Sequence, residues 1–240
     1  VALEDQLLEA FEYHSPAKIQ DALDAGASAF ELIKGKTPID SLIEFYPRTS
    51  RLADCLRVMF KAGARIEDSL LQAILLDDPK QLPAETHSFH LECTYTSLHD
   101  VSALHVCAEY NSVECAKVLL ARGMDVDIRA GIDAEGLGGH TPLFHTVNSN
   151  GNHCRPMMEL LVEAGASLDI RLKGLVWAGG FDWETVVFDV TPFSYAQCGL
   201  YKQFHRIEQD VYSNIHYLYR KRFGVAAPVR NVPNKYLLRC

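Results

Sequence analysis

The sequence has no run of about eighteen consecutive apolar residues, the length a membrane-crossing helix needs. Its opening, Val1-Ala2-Leu3-Glu4-Asp5, also lacks the basic and apolar regions of a secretion signal. A cytoplasmic protein that does not enter membranes is expected. There is no Cys-x-x-Cys pair; the seven cysteines, Cys55, Cys93, Cys107, Cys115, Cys154, Cys198 and Cys240, are scattered and odd in number. Such thiols suit a reducing compartment better than a disulfide framework. Missing too are a Gly-x-Ser-x-Gly elbow, a phosphate loop of the Gly-x-x-x-x-Gly-Lys-Ser/Thr type and a Gly-x-Gly-x-x-Gly after a strand, so no familiar hydrolase, nucleotide or dinucleotide chemistry is signalled.

Positive charge is scarce over most of the chain. The formal net charge is −8, but from Lys202 onward eight basic residues face only Glu208 and Asp210, leaving −14 for the rest. Phosphate affinity depends on concentrated Lys and Arg, so a general nucleic-acid binder is disfavoured and a partner with a basic surface is favoured. What is present, 48% hydrophobic and 22% charged residues over 240 positions, is enough to bury a substantial core.

Two markers recur. The first is a small apolar helix end closed by glycine, at Ala22-Leu23-Asp24-Ala25-Gly26-Ala27, Met59-Phe60-Lys61-Ala62-Gly63-Ala64, Leu119-Leu120-Ala121-Arg122-Gly123-Met124 and Leu160-Leu161-Val162-Glu163-Ala164-Gly165-Ala166. Glycine suits these positions because the residue after a helix C-cap commonly turns left-handed. The second marker is Thr37-Pro38-Ile39-Asp40, Ser102-Ala103-Leu104-His105, Thr141-Pro142-Leu143-Phe144 and Thr191-Pro192-Phe193-Ser194. Thr or Ser caps a helix, and proline at the first helical position lacks only an N–H that would have gone unpaired. Each pairing leaves room for a helix, a turn and a second helix.

These residues resemble the ankyrin repeat, whose pattern is Thr-Pro-Leu-His-x-Ala-Ala, then Leu-Leu, then Gly-Ala. The stretch Ser102-Ala103-Leu104-His105-Val106-Cys107-Ala108, continuing through Val118-Leu119-Leu120-Ala121-Arg122-Gly123, matches it, as does Gly139-His140-Thr141-Pro142-Leu143 with Leu160-Leu161 and Ala164-Gly165-Ala166. The spacing from Thr37 to Ser102, about two repeats of roughly 33 residues, calls for a worn unit whose first helix is Ser69-Leu70-Leu71-Gln72-Ala73-Ile74-Leu75-Leu76. An all-α solenoid of about six units is therefore expected, spanning approximately 3–34, 35–68, 69–100, 101–138, 139–188 and 189–224, with a tail at 225–240. Inserts at 129–138 and 172–190 occupy the place of the family's fingers. A further excess at 84–100 follows the third unit, and another at 148–155 lengthens a helix–helix turn.

The resemblance implies a non-catalytic module that holds a partner protein with its fingers and inner helices. Transferred residue by residue, it places Glu44 and Phe45, Glu109 and Tyr110, and Asn148 and Ser149 at exposed ends of inner helices, and Lys36, His99, Val101 and His140 on fingers. It also makes His105 a structural hydrogen-bonding residue. Trp177, Phe181 and Trp183, beside Gly179-Gly180, are either projecting aromatic anchors or a local hydrophobic plug. His87-x-x-His90-x-x-Cys93 followed by His99 offers zinc ligands, yet without Cys-x-x-Cys or His-x-x-x-His spacing no metal or other cofactor is assigned. The alternative is an enzyme or regulatory subunit whose inserts, 84–100 and 172–190, build a metal or small-molecule pocket. Last, a helix over roughly Asp210 to Phe223 buries Val211, Ile215 and Leu218 as a cap, and Arg220-Lys221-Arg222 in its final turn either complements the helix dipole or binds an acidic group.

Overall fold

The computed structural model describes residues 2–91, 93, 96 and 98–228. Beyond residue 228 the expected tail, with Arg230, Lys235, Arg239 and Cys240, lies outside the described residues. The chain opens with two helix pairs, α1 (Leu3–Glu12) with α2 (Pro16–Asp24) and α3 (Pro38–Glu44) with α4 (Leu52–Lys61). A single helix, α5 (Ser69–Leu75), then leads into a hairpin of β1 (Phe89–Leu91) and β2 (Leu98–Val101). Next come α6 (Ala103–Tyr110) with α7 (Val113–Ala121), and α8 (Pro142–Thr146) with α9 (Arg155–Glu163). A second hairpin, β3 (Leu172–Trp177) and β4 (Thr185–Val190), precedes α10 (Pro192–Cys198) and the long α11 (Glu208–Phe223). The architecture is a helical solenoid whose two long inserts fold as antiparallel hairpins.

The two markers work as their chemistry requires. Gly26, Gly63, Gly123 and Gly165 have φ between 91° and 104°, a region that penalises any side chain. Thr37 and Thr191 accept from the backbone N–H of Asp40 and Ser194, each at 3.2 Å. Thr141 differs, because its buried hydroxyl makes no cap bond although α8 starts behind it. The worn third unit has no second helix among the described residues. Pro79 and Pro83 interrupt the segment where it would lie, while Asp77, at φ 47°, turns the chain and caps α7 by accepting from Cys115 N–H at 2.9 Å.

The inner helices stack, α1 on α3, α5 on α6, α6 on α8 and α8 on α10, while α2 lies on α4 and α7 on α9. One continuous apolar core runs from Leu7 to Leu218, and two smaller clusters sit beneath the second hairpin. As expected of a cap, α11 buries Val211, Ile215 and Leu218.

Three fingers are joined edge to edge into a wall. Gly131 N–H donates to Asp100 O of β2 at 2.9 Å, and Gly138 N–H donates to Gly174 O of β3 at 2.9 Å. This approach requires glycine: a Cβ on Gly131 would lie 2.7 Å from that of Asp100, and one on Gly138, already at φ 101°, would lie 2.6 Å from Gly131 O. Gly138→Ala should therefore lower stability by at least about 1 kcal/mol and make residues 129–139 cleave faster in limited proteolysis. Unchanged melting and cleavage would show that the wall does not depend on this contact.

Candidate functional site

On the concave side, the wall and the inner helices enclose a cavity of about 1070 Å³. Its floor is built around Glu109, near the C-terminal end of α6. Every residue of α6 is buried, since α5 and α8 flank it and Arg48 covers its end. The expectation that Glu109 and Tyr110 form an exposed helix end is therefore corrected. Both are only 7% exposed, and Tyr110 is tied down by its hydroxyl, which donates to Ile43 O of α3 at 2.8 Å.

Arg48, from the loop after α3, donates through Nε to Glu109 Oε1 at 2.9 Å and lies over the Tyr110 ring, 4.6 Å from its centroid. His145 of α8 donates through Nδ1 to Glu109 Oε2 at 3.0 Å, the tautomer a carboxylate acceptor demands. Burial acts to raise the Glu109 carboxyl, but the charge of Arg48 and the hydrogen bond and field of His145 outweigh it and hold the group below the ordinary range. Burial likewise keeps neighbouring imidazoles neutral, His105 lowered to about 3 and His140 well below its usual value. His105 has the structural role the resemblance implies: its Nδ1 accepts from Ser102 N–H at 3.2 Å, so Nε2 donates to His140 O at 3.0 Å.

Several polar atoms around this floor have no hydrogen-bond partner among the described residues: Arg48 Nη2, both ring nitrogens of His140, His145 Nε2 and both side-chain ends of Asn148. His140 and Asn148, expected at exposed positions, are 6% and 8% exposed. The fingers close over the first, and Gly199 approaches the second so nearly that a Cβ there would sit 2.7 Å from Asn148 Oδ1. Beside them Arg206 donates to Asn148 O at 2.8 Å and to Phe204 O, and burial lowers its pKa.

The tryptophan finger divides. Trp177 is buried and stacks on Phe204 at 4.3 Å between centroids, which is the plug, while Phe181 and Trp183 stack on each other at 5.0 Å and remain 40% and 46% exposed. Of the nine residues expected to bind a partner, Glu109, His140, Asn148, Trp177 and Trp183 line the cavity. Glu44, paired with Lys36, and Phe45, packed against the core, are half-buried outside its lining, and the buried Tyr110 and the exposed Phe181 also lie outside it. Of the further positions, Ser149 and His99 line the cavity and Val101 is fully buried. Arg48, His145 and Arg206 were not anticipated. The first and last sit in loops outside the repeat pattern, and His145 occupies its variable position.

The histidine–cysteine run separates. His87 pairs with Asp68 at 2.7 Å, His90 stacks on His99 across the first hairpin at 3.8 Å, and Cys93 Sγ meets Tyr110 Oη at 3.2 Å. Among the described residues no group of three or more His, Cys, Asp or Glu is arranged to hold a metal ion. Burial pushes the Cys93 thiol up to about 11 and those of Cys55, Cys115 and Cys154 to about 12, so these sulfurs are poor nucleophiles at neutral pH. In the basic turn of α11, Lys221 pairs with Glu163 and Arg222 with Asp169.

Residues 70–172 match the family model of ankyrin repeats, in three copies, a span that takes in the worn unit begun by α5. No curated protein matches the chain. Two of the solved structures similar to it are ankyrin repeat proteins. The ankyrin repeat domain of Bcl-3, a unique member of the IkappaB protein family, is 20% identical over 90% of this chain and 68% of its own, with a TM-score of 0.34. EF0377, an ankyrin repeat protein, is 20% identical over 89% of this chain and 95% of its own, with a TM-score of 0.38.

Removing one partner of a buried ion pair strands the other, so Glu109→Gln should cost about 3–5 kcal/mol. The double variant Arg48→Met/Glu109→Gln should cost less than Glu109→Gln alone. Denaturant titration decides, and a double-variant loss equal to the sum of the two single losses would mean the pair is not coupled. The depressed imidazoles fix a pH dependence. The unfolded chain binds their protons below about 6.5 while the folded chain refuses them until about 3 for His105 and about 4 for His14. Stability should therefore be full above 6.5 and fall steadily as pH drops below it. Melting temperatures from pH 7.5 to 5 test this, with His140→Gln expected to flatten the slope.

Proposed function

We propose that this chain, an ankyrin-repeat protein by its residues 70–172, is a non-catalytic binding module that holds a short segment of a partner protein in its finger-walled groove. Ankyrin repeats generally mediate protein–protein interaction. The observation that supports the finer reading is the cavity itself: about 1070 Å³, on the concave side, roofed by three stitched fingers. That is at the upper end of the roughly 300–1,000 Å³ usual for ligand pockets, room for a few residues of an extended chain. Exposed Phe181 and Trp183 at the rim supply aromatic contact area beyond it. The acidity of the chain before Lys202 favours a segment flanked by basic residues, drawn in by long-range attraction. A reducing compartment, with the cytoplasm as our choice, suits the six free thiols among the described residues.

A second reading has one observation in its favour. Glu109 orients His145 beside the cavity and leaves Nε2 without a hydrogen-bond partner among the described residues, an arrangement that would also serve an enzyme or regulatory subunit acting on a small molecule.

Selection from a random peptide library displayed on phage, against the intact chain, tests the first reading. A shared motif should emerge, and Trp183→Ala should weaken the selected peptides about tenfold, the effect of losing one aromatic anchor, without changing the melting temperature. Failure of any motif to emerge, together with thermal stabilisation by members of a metabolite panel, would overturn it in favour of the small-molecule reading.

A further inference from the structure

The floor of the cavity holds an imbalance of charge. Among the side chains lining it that are withdrawn from solvent, Arg48 and Arg206 bring two guanidinium groups and Glu109 one carboxylate, while the carboxylates of Glu12, Asp100 and Asp133 line it at exposed positions. Arg48 and His145 already occupy both oxygens of that carboxylate, at 2.9 and 3.0 Å. Arg206 donates to the backbone carbonyls of Asn148 and Phe204 and has no ion pair among the described residues; the field of Glu109 acts on it from a distance. A partly buried guanidinium without a carboxylate of its own is costly, and the low dielectric that makes it so strengthens any anion brought to it.

Hydrogen-bonding capacity points the same way. Arg48 Nη2, the Asn148 amide and the His140 ring, each on a side chain more than nine-tenths buried, have no partner among the described residues. Two N–H groups on Arg48 Nη2, two on Asn148 and one on the neutral His140 ring outnumber the acceptor atoms left open beside them, Asn148 Oδ1, one His140 ring nitrogen and His145 Nε2. The ligand that completes such a set is rich in acceptors. Next to it, the Trp177–Phe204 stack provides an apolar shelf, and Phe204 itself contributes one of the carbonyls that orient Arg206.

We propose that this floor is a carboxylate site, in which Arg206, with Arg48, His140 and Asn148, receives the carboxylate of a ligand whose apolar or aromatic body lies against Trp177 and Phe204. A carboxylate fits better than a phosphate. Among the groups withdrawn from solvent the surplus is a single positive charge, which one carboxylate cancels and a phosphate monoester, at roughly −1.5 to −2, would exceed; the exposed carboxylates of Glu12, Asp100 and Asp133 weigh further against a dianion. The planar fork of arginine also matches a planar carboxylate with two parallel hydrogen bonds. The inference rests on the groove being a binding site, as proposed above, but not on the ligand being a protein: the carboxylate could belong to a peptide or to a small organic acid.

The chain has two tryptophans, Trp177 and Trp183, and both line this cavity, so their fluorescence reports occupancy. N-acetylphenylalanine, its amide and phenyl phosphate, none of which contains an indole, should be titrated at millimolar concentration while fluorescence and melting temperature are followed. The free acid should shift both, the amide should bind at least about tenfold more weakly for want of a charge-assisted contact, and phenyl phosphate should bind no better than the acid. Arg206→Gln should remove the preference for acid over amide. Should that variant fail to fold, the acid–amide comparison on the natural chain still decides. Equal binding of acid and amide, no binding by either, or tighter binding of phenyl phosphate would each overturn the proposal. If the acid binds but no peptide is selected on phage, the carboxylate site stands and the protein-partner reading falls.

Discussion

A carboxylate removed from water is tolerated only when other groups replace the hydration it has lost, and for Glu109 the replacements come from two other repeats. Arg48 reaches it from the loop after α3 and His145 from α8. In a solenoid each unit contacts mainly its neighbours, so curvature is set by many small interfaces. A buried ion pair that spans from the second unit to the fourth and continues to the fifth ties those interfaces together. Tyr110 reinforces the tie, its hydroxyl bonded to the end of α3 and its ring beneath the Arg48 guanidinium. Such a pair contributes less to net stability than its geometry suggests, because desolvation offsets most of the attraction. Its larger effect is to make one relative placement of these repeats far better than any other.

That placement decides what the fingers can do. Fingers on adjacent repeats normally stand side by side, and here they approach until backbone meets backbone, Asp100 with Gly131 and Gly138 with Gly174. Only glycine allows the separation, since at Gly131 and Gly174 a Cβ would overlap atoms of the neighbouring finger, and at Gly138 it would overlap Gly131 O across its own finger. The inner helices form the floor and the joined fingers the wall, so a groove that would otherwise lie open becomes a cavity. A single ion-paired floor and three glycines thus turn an extended binding surface into a walled, half-open one.

The parts of this structure that were legible in the sequence are those set by local chemistry. A glycine that ends a helix is written where it acts, and Gly26, Gly63, Gly123 and Gly165 mark their turns without reference to anything distant. Thr37 and Thr191 do the same for helix starts. The site was legible only in part, because it depends on which surfaces meet. Glu109 and Asn148 were expected at exposed ends of inner helices and His140 on a finger, but nothing local to them signals that Arg48 covers α6 or that the fingers join above them. Exposure was expected where burial is found. Arg48 and Arg206 belong to loops with no period, and their roles exist only once distant units have come together. The tryptophan finger shows the same limit within ten residues: Trp177 and Trp183 are equally apolar, and only the position of Phe204 on a following turn decides which is covered.

The solvent-shielded floor and the exterior of this groove carry opposite electrostatic signatures, and the two operate at different range. Outside, the chain before Lys202 is strongly acidic, and charges there act through water and are screened within about 10 Å at ordinary ionic strength. The basic turn of α11 does little to alter that field, as Lys221 and Arg222 are each paired with a carboxylate of the array. Inside, Arg206 sits among carbonyls and aromatic rings where screening is weak. The outer field therefore selects which molecules approach, and the guanidinium selects which group is retained. An anion alone is repelled at the mouth; a carboxylate on a ligand that also bears positive or neutral apolar parts is not. Enclosure makes this discrimination possible, because on an open concave face solvent would screen the buried cation as it screens the rim.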